Sequence, residues 1–300
     1  MIENNKVVVI GGSGFLGSHI ADSLSESGYA VTVFDTCKSA SLREDQNMLI
    51  GDILDLQNVT QALKNAKYVY HLAGIADIDK AATNPRKTII QNIIGSTNVI
   101  EASLACNVEK LIFASTVYVY SDKGSFYRVS KQAVEILLEN YRKELELNYT
   151  IIRYGSLYGP RSQDWNGLKR FVTQAVRDKK IVYPGLGNEQ REYIHVKDAA
   201  HLSVQVLDDK YDHQCLTLTG TQVMSTKKVL TMIAEILNDN IEIEFAPEGS
   251  SYDLFHYQMT PYRYTPKSGR KLITNCFFDL GQGILDMIEE VHLNDLKKEE

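Results

Sequence analysis

Residues 6–35 read KVVVIGGSGFLGSHIADSLSESGYAVTVFD, and this stretch decides the fold. It contains an apolar run, a glycine-rich turn over residues 11–17, a helical pattern that Gly28 ends, and a second apolar run that closes on Asp35. Glycines let the backbone come close to a pyrophosphate, and the start of a helix presents free N–H groups to it. A carboxylate at Asp35 can hold ribose hydroxyls and repels a 2′-phosphate. The stretch therefore predicts a dinucleotide site that favours NAD over NADP.

An ordinary tight turn between a strand and a helix would also account for the glycines alone. The strand before them, the helix after them and Asp35, which lies 18 residues beyond Gly17, favour the dinucleotide site. A second acid, Asp52, follows the short apolar run at residues 48–50. Its position predicts either an acceptor for the adenine amino group or a helix N-cap or turn acid.

Composition excludes several classes of protein. A chain of 300 residues with 44% hydrophobic residues suits a soluble globular protein of one large or two small domains. The net charge of −6 gives no reason to expect nucleic acid as a partner. The apolar runs fall short of the ~20 residues that a membrane helix needs, and no signal peptide is apparent, so we expect a cytoplasmic protein without a membrane partner. The four cysteines and seven histidines lack metal-ligand spacing, which predicts no metal site.

Strands and helices alternate over about the first 150 residues. This alternation predicts an α/β fold, a Rossmann-type doubly wound parallel sheet covered on both faces. The pattern after residue 155 is less regular. We therefore predict a dinucleotide-binding domain over residues 1–155, rejoined by part of residues 190–220, and a smaller C-terminal substrate-binding cap over residues 156–300.

A second motif carries chemistry. An apolar run ends at Ser115-Thr116, and Tyr127 and Lys131 follow at a predicted helix start. A Tyr-x-x-x-Lys pair lies on one helical face. A neighbouring ammonium and an oxidised nicotinamide both lower a phenol pKa from about 10, so that the phenol can take a proton from a hydroxyl that Thr116 holds. Such pairs also arise by chance in a chain with 17 tyrosines, so the motif gains its weight from the predicted fold around it.

Together these landmarks resemble the extended short-chain dehydrogenases/reductases. Within that family the resemblance is to NAD-dependent nucleotide-sugar epimerases and dehydratases of the UDP-glucose 4-epimerase type. The motifs that carry it are Gly11-x-x-Gly14-x-x-Gly17, Asp35, Gly51-Asp52, His71-Leu72-Ala73-Gly74, Asn92, Ala114-Ser115-Thr116, Tyr127-x-x-x-Lys131, the stretch from Arg153 to Pro160, and the stretch from Arg191 to Asp198.

The resemblance implies roles for single residues. It makes Thr116, Tyr127 and Lys131 the catalytic set, in which Lys131 also binds the nicotinamide ribose and tunes Tyr127. It implies contacts to NAD from Gly11, Gly14, Phe15, Leu16, Gly17, Asp35, Asp52, Ile53, Leu72, Ala73, Gly74, Asn92, Tyr127, Lys131 and Tyr154. It implies contacts to a nucleotide-sugar substrate from Thr116, Ser156, Arg191 and Arg263.

Departures from the family pattern indicate which of its subfamilies this chain does not match. In 4,6-dehydratases an Asp and a Glu follow the catalytic Thr, whereas Val117 and Tyr118 stand here. In UDP-glucuronate decarboxylases the corresponding strand is similar but carries a Glu at the Tyr118 position. Only ten residues separate Thr116 from Tyr127, where the family has a longer, Pro-rich loop, and Ser156 replaces an Asn of many members. The short loop predicts an altered sugar pocket.

The resulting prediction is an NAD-dependent epimerase that acts on a nucleotide sugar at C4 through a 4-keto intermediate. An NAD-dependent 4-keto reductase or dehydrogenase is an alternative in the same class, and a non-catalytic NAD-binding regulator is an alternative in another. The helical patterns over residues 85–106 and 127–147 carry more apolar residues than one buried face requires. With the family resemblance, they predict a homodimer, unless both helices are buried within one subunit.

Overall fold

The computed structural model describes residues 5–237, 240–246, 256–261, 269–273 and 278–299. Among these residues, eight strands form the main sheet, and every neighbouring pair is parallel. In order across the sheet they are β3 (Asn47–Ile50), β2 (Ala30–Asp35), β1 (Lys6–Ile10), β4 (Tyr68–His71), β5 (Lys110–Thr116), β6 (Tyr149–Tyr154), β10 (Cys215–Leu218) and β13 (Gly269–Leu272). The doubly wound parallel sheet predicted from the sequence is confirmed.

Ten helices are seen in the described residues. They are α1 (Phe15–Glu26), α2 (Leu56–Leu63), α3 (Ile78–Thr83), α4 (Pro85–Ile89), α5 (Gly95–Ala105), α6 (Ser125–Leu145), α7 (Gly167–Asp178), α8 (Val196–Gln205), α9 (Thr226–Leu237) and α10 (Leu280–Glu299). Short 3₁₀ turns occupy Val117–Tyr120 and Asp209–Tyr211. Two smaller sheets lie beside the main one. The first contains β7 (Ser156–Tyr158), β9 (Gln190–His195) and β11 (Val223–Ser225), and the second contains β8 (Lys180–Tyr183) and β12 (Glu242–Phe245).

The apolar strands are buried on both faces of the main sheet. In β1, Val7 and Val9 pack into one core cluster and Val8 and Ile10 into another, as the two-residue period of a strand requires. Helices α1 and α8 pack against each other, and α2 and α5 do the same. The strand order reverses its direction of growth between β1 and β4, and ligands bind at such a point, outside the carboxyl ends of the strands.

The chain after residue 155 contributes both to a separate core cluster and to the main sheet. A third core cluster is built from residues of α7, β8, α9 and α10. Meanwhile α8, β10 and β13 return to the main sheet and its covering layer.

The long helix that the sequence pattern predicts over residues 85–106 is interrupted. Between α4 and α5 the chain forms a π-helical turn, Ile90–Ile94, and Asn92 is buried inside it. The Asn92 side chain accepts from the Ile75 N–H at 2.7 Å and donates to the Ile75 carbonyl at 2.9 Å and to Ser130 Oγ at 2.9 Å. Single π turns of this kind are frequent at functional sites, and this one fixes the loop after β4.

None of the helices in the described ranges is long and apolar enough to cross a bilayer.

Candidate active site

A cleft of about 570 Å³ opens at the carboxyl ends of β1, β2, β4, β5 and β6. This volume lies within the ~300–1,000 Å³ that small-molecule sites usually occupy. Most of the residues predicted to form the site line it: Gly11, Gly14, Phe15, Leu16, Gly17, Asp35, Asp52, Ile53, Leu72, Ala73, Gly74, Thr116, Tyr127, Lys131 and Tyr154. The predicted cofactor and catalytic residues therefore meet in one cleft.

The glycine turn has the close backbone contacts that a dinucleotide cradle needs. Gly11 has φ +84°, and a Cβ there would lie 2.5 Å from the Ala73 nitrogen. A Cβ on Gly17 would lie 2.2 Å from the Gly11 carbonyl oxygen. Gly14 is the N-cap of α1 and supplies no side-chain cap, so the helix start is open to an anion. The turn fits a pyrophosphate, and a side chain at Gly11 or Gly17 would collide with neighbouring backbone and distort the turn.

Asp35 lies at the tip of β2, beside this turn. Its Oδ2 accepts a hydrogen bond from the Ser13 N–H at 3.0 Å, and its Oδ1 lies 3.4 Å from Thr36 Oγ1. The carboxylate thus ties the glycine turn to the second strand while it lines the cleft, where it fits a ribose diol.

Asp52 acts within a turn. Its Oδ1 accepts from the Leu54 N–H at 3.0 Å and from Gln91 Nε2 at 3.4 Å, whereas the N-cap of α2 is Asp55. Of the alternatives that the sequence left open, the turn contact is present and the N-cap is not. Asp52 also lines the cleft, as a contact to adenine requires.

Thr116, Tyr127 and Lys131 meet where β5 ends and α6 begins. The Thr116 hydroxyl lies close enough to the Tyr127 phenol to act on its pKa, which it lowers. Lys131 Nζ donates to the Ala114 carbonyl at 2.7 Å and lies 4.7 Å from the Phe113 ring centroid and 5.9 Å from that of Tyr127. Tyr-x-x-x-Lys spacing on one helix thus brings a cation and a phenol to the same side of the cleft.

Burial controls the pKa values of this pair. It raises the pKa of Tyr127 to about 12, against the opposing effect of the Thr116 hydrogen bond, and it lowers the pKa of Lys131 to about 8, against the opposing effect of Glu135. The sequence motif predicts a phenol pKa lowered by the ammonium and an oxidised nicotinamide. In this structure desolvation is the larger effect on the Tyr127 pKa, and the Lys131 amine donates to the Ala114 carbonyl.

A buried ion pair supports the carboxyl end of β5, and sequence reasoning missed it. Glu135 accepts from Ser115 Oγ at 2.5 Å and from Arg153 Nη2 at 2.6 Å, and Arg153 Nη1 donates to Tyr120 Oη at 2.6 Å. Glu135 and Arg153 are almost fully buried. The available signal was the four-residue spacing of Tyr127, Lys131 and Glu135, which places all three on one face of α6.

Other predicted site residues lie away from the cleft wall. Asn92 lies behind it, where it holds Ile75. Ser156 and Arg191 are brought together by Tyr257: Ser156 Oγ lies 3.1 Å from the Tyr257 hydroxyl, and the Arg191 guanidinium lies 4.6 Å from the Tyr257 ring centroid. Neither lines the cleft in the structure. Arg263 lies outside the described residues.

Some residues that line the cleft had no predicted binding or catalytic role. The Tyr118 ring lies edge-on to that of Tyr127, with 6.5 Å between centroids. Lys80 and Lys87 line it from α3 and α4, and Trp165 from the loop before α7. In the part of the chain that the structure describes, no group of three His, Cys, Asp or Glu residues could hold a metal ion.

Comparison with known proteins places this architecture. The model of the NAD dependent epimerase/dehydratase family matches residues 7–215. UDP-N-acetyl-alpha-D-glucosaminuronate decarboxylase of Bacillus cytotoxicus is 26% identical over 81% of this chain and 83% of its own length. A putative UDP-glucose 4-epimerase of Methanocaldococcus jannaschii is 27% identical over 68% of this chain and 74% of its own. Among solved structures, UDP-glucose 4-epimerase of Thermotoga maritima with UDP-glucose is similar at a TM-score of 0.82 and 25% identity, covering 96% of this chain and 99% of that one.

Proposed function

This chain belongs to the NAD dependent epimerase/dehydratase family, and we propose that it inverts the configuration at C4 of a nucleotide sugar through a 4-keto intermediate. The observation that carries the proposal is the meeting of Thr116, Tyr127 and Lys131 in the cleft. Val117 and Tyr118 come directly after Thr116, so no carboxylate follows it there. Reversible oxidation at one carbon needs no second acid or base, whereas elimination of water does.

The family is NAD dependent, and NAD, when bound, supplies the hydride acceptor and donor for the sugar carbon. In our proposal the glycine turn and the start of α1 hold its pyrophosphate. Asp35 holds the adenosine ribose, and Lys131 with Tyr127 holds the nicotinamide ribose. The closeness of Gly11 and Gly17 to neighbouring backbone supports this assignment, since a side chain at either would collide with that backbone and force the turn to shift.

In this proposal the chain's own residues move one proton. Tyr127 takes the proton of the C4 hydroxyl, and Thr116, whose hydroxyl acts on the Tyr127 phenol, positions that hydroxyl. With a pKa of about 8, Lys131 keeps its charge at neutral pH and stabilises the phenolate. After the 4-keto sugar turns over in the pocket, the phenol returns the proton to the C4 oxygen.

Residues 1–155 with the returning α8 and β10 are assigned to cofactor binding, and most of residues 156–300 to a substrate-binding cap. Ser156 and Arg191, which contact Tyr257 outside the wall of the cleft, are assigned to the cap. Arg191 would meet the diphosphate of the sugar nucleotide, because a guanidinium can bind phosphate oxygens in pairs.

Decarboxylation of a uronic acid is the second candidate. The similarity to the Bacillus cytotoxicus decarboxylase favours it. Tyr118 argues against decarboxylation, because the resemblance to UDP-glucuronate decarboxylases implies a Glu at the Tyr118 position.

The experiment incubates the purified protein and NAD with UDP-, GDP-, CDP- and dTDP-sugars and follows the C4 configuration by NMR. We expect inversion at C4 with no net consumption of NADH. Net NADH consumption would indicate a keto reductase, and release of CO₂ a decarboxylase. Binding of NAD without turnover of any sugar would indicate a regulator.

We also propose that the protein is a homodimer. Ile90 and Ile94 of the π turn, and Val129 and Ile136 of the adjacent α6, are 38%, 52%, 43% and 53% exposed, which is unusual for large apolar side chains on neighbouring helices. Light scattering at micromolar concentration should give twice the chain mass, and Ile136→Glu should give a monomer. Leu296→Glu, at an exposed position of α10, should leave the mass unchanged. A monomeric wild type would contradict the proposal.

A further inference from the structure

Trp165 is the one tryptophan of the chain, and it lies in the wall of the cleft. The residue is 46% exposed. Among the large apolar residues that line the cleft in the described ranges, it is the most exposed. An aromatic side chain with this much open surface at a cleft wall is available for contact with a ligand.

The loop that carries Trp165 is fixed by the next residue, Asn166. The Asn166 N–H donates to the Gln163 carbonyl at 2.8 Å, which closes a turn around Trp165. The Asn166 side-chain amide donates to the Leu157 carbonyl of β7 at 3.0 Å, and its oxygen caps α7 by accepting from two N–H groups of the first turn at 3.1 Å and 3.2 Å. The backbone at Trp165 is therefore held between β7 and the start of α7.

This place lies away from the adenosine part of the proposed cofactor site. Asp35 marks that part at the tip of β2, on the other side of β1, β4 and β5 from β6. Leu157, which the loop contacts, comes three residues after Tyr154 of β6, and both residues line the cleft. β7 also pairs in parallel with β9, the strand that contains Arg191. Trp165 therefore lies on the side of the cleft that we assign to the nucleotide sugar.

A nucleotide sugar offers three parts to an aromatic ring: the sugar, the diphosphate and the base. In the proposed reaction the 4-keto sugar must turn over, so a stacking contact that fixes the sugar would oppose the reaction. The diphosphate is an anion, and the face of an aromatic ring carries partial negative charge. The base is flat, need not move during the reaction and stacks well on aromatic side chains. The base is therefore the part that suits Trp165.

We infer that Trp165 stacks on the base of the nucleotide sugar and anchors the substrate while its sugar turns. This inference rests on the proposed function, which supplies a nucleotide sugar whose sugar ring moves. A base held at Trp165 tethers the 4-keto sugar, so the sugar can turn over without leaving the cleft. Every base has a π face, so we expect Trp165 to add affinity for several nucleoside diphosphates and not to select one of them.

The test measures binding to the NAD-loaded protein, which needs no turnover. Calorimetry gives the affinities for UDP, GDP, CDP and dTDP, and the tightest of the four is used with the variants. Ligand-observed NMR gives the affinity for glucose 1-phosphate, a fragment without a base. Trp165→Ala should weaken binding of the nucleoside diphosphate by about 5- to 150-fold, the range for loss of one base–aromatic stack. The affinity for glucose 1-phosphate should stay unchanged.

Two further measurements test the stacking itself. Trp165→Phe keeps a smaller aromatic face, so it should lose less affinity for the nucleoside diphosphate than Trp165→Ala loses. Because the chain has one tryptophan, its fluorescence reports on Trp165 alone, and the nucleoside diphosphate should change this emission whereas glucose 1-phosphate should not. The matched control is Phe278→Ala, which removes an aromatic ring that is 37% exposed away from the cleft wall and should leave both affinities unchanged.

The outcomes separate the two proposals. Unchanged affinity of Trp165→Ala for the nucleoside diphosphate would overturn the inference, and the proposed function would stand if the variant still inverts C4. An equal loss of affinity for glucose 1-phosphate would also overturn the inference, because a merely structural role lowers both affinities together. A loss of NADH affinity alone would overturn it too, since the ring would then contact the cofactor. A loss confined to the nucleoside diphosphate, in a protein that inverts C4 of no sugar, would overturn the proposed function and retain the base contact.

Discussion

The two ends of the cleft are built in different ways. At the cofactor end, the backbone of the glycine turn makes the close contacts: Gly17 packs on the Gly11 carbonyl, and the Ser13 N–H donates to the Asp35 carboxylate. At the end that we assign to the sugar, here called the sugar end, side chains from distant segments make them, as Tyr118 does with His256. Substitutions at the cofactor end should therefore act through backbone space, whereas those at the sugar end should act through side-chain chemistry.

The largest expected effect is a loss of stability from a substitution where the two ends of the cleft join. Glu135→Gln leaves the buried Arg153 charge without its ion pair, and breaking such a pair costs ~3–5 kcal/mol of unfolding free energy. Urea denaturation followed by circular dichroism measures this loss. Glu144→Gln on the same helix is the control, since its side chain is 70% exposed and its ion pair with Lys143 spans 4.0 Å. A loss below ~1 kcal/mol for Glu135→Gln would show that the pair does not support the strand end.

The second-largest effect is expected from a substitution that disturbs only the cofactor end. Gly17→Ala places a Cβ 2.2 Å from the Gly11 carbonyl, so the turn must shift. Overpacking of this kind costs ~1–3 kcal/mol, and NADH binding measured by fluorescence should weaken by about tenfold or more. Gly167→Ala is the control, because the nearest atom to its Cβ would be 4.0 Å away. Unchanged NADH affinity in Gly17→Ala would remove the backbone account of this end.

The smallest effect is a shift in pH dependence at the sugar end. Lys131 has a pKa of about 8, so its charge is present below that pH and is lost above it. The phenol of Tyr127, at about 12, needs that charge to ionise at lower pH. Lys131→Met should move the rising limb of kcat/KM against pH upward by about one unit and abolish any fall that begins near pH 8. An unshifted profile would mean that Lys131 does not tune the phenol.

The sequence predicts the cofactor end well for a physical reason. A strand, a glycine turn and a helix that follow one another have few possible arrangements, so the pattern of residues 6–35 determines where Gly11, Gly17 and Asp35 lie. The same holds for Tyr127 and Lys131, which one helical turn separates. The doubly wound parallel sheet follows from the alternation of strands and helices, and it is confirmed.

The sugar end escapes sequence reasoning because its contacts are not local. Tyr257 joins Ser156 and Arg191 away from the cleft wall, and no spacing in the sequence indicates that three-way contact. The sequence predicts a contact between Asn92 and the cofactor, yet the Asn92 side chain donates hydrogen bonds to Ile75 and Ser130. The π turn around it follows from these tertiary bonds and not from helix propensity.

Turnover of the Tyr127→Phe variant tests the central claim most directly. The substitution removes one oxygen and keeps the buried ring, and the glycine turn and Asp35 are untouched, so NAD should still bind. The account predicts that C4 inversion of the best nucleotide sugar, followed by NMR, falls by ~10²–10⁴-fold, the range for loss of a positioned acid–base group. Near-normal inversion by Tyr127→Phe would contradict the account, because the proton would then be taken elsewhere.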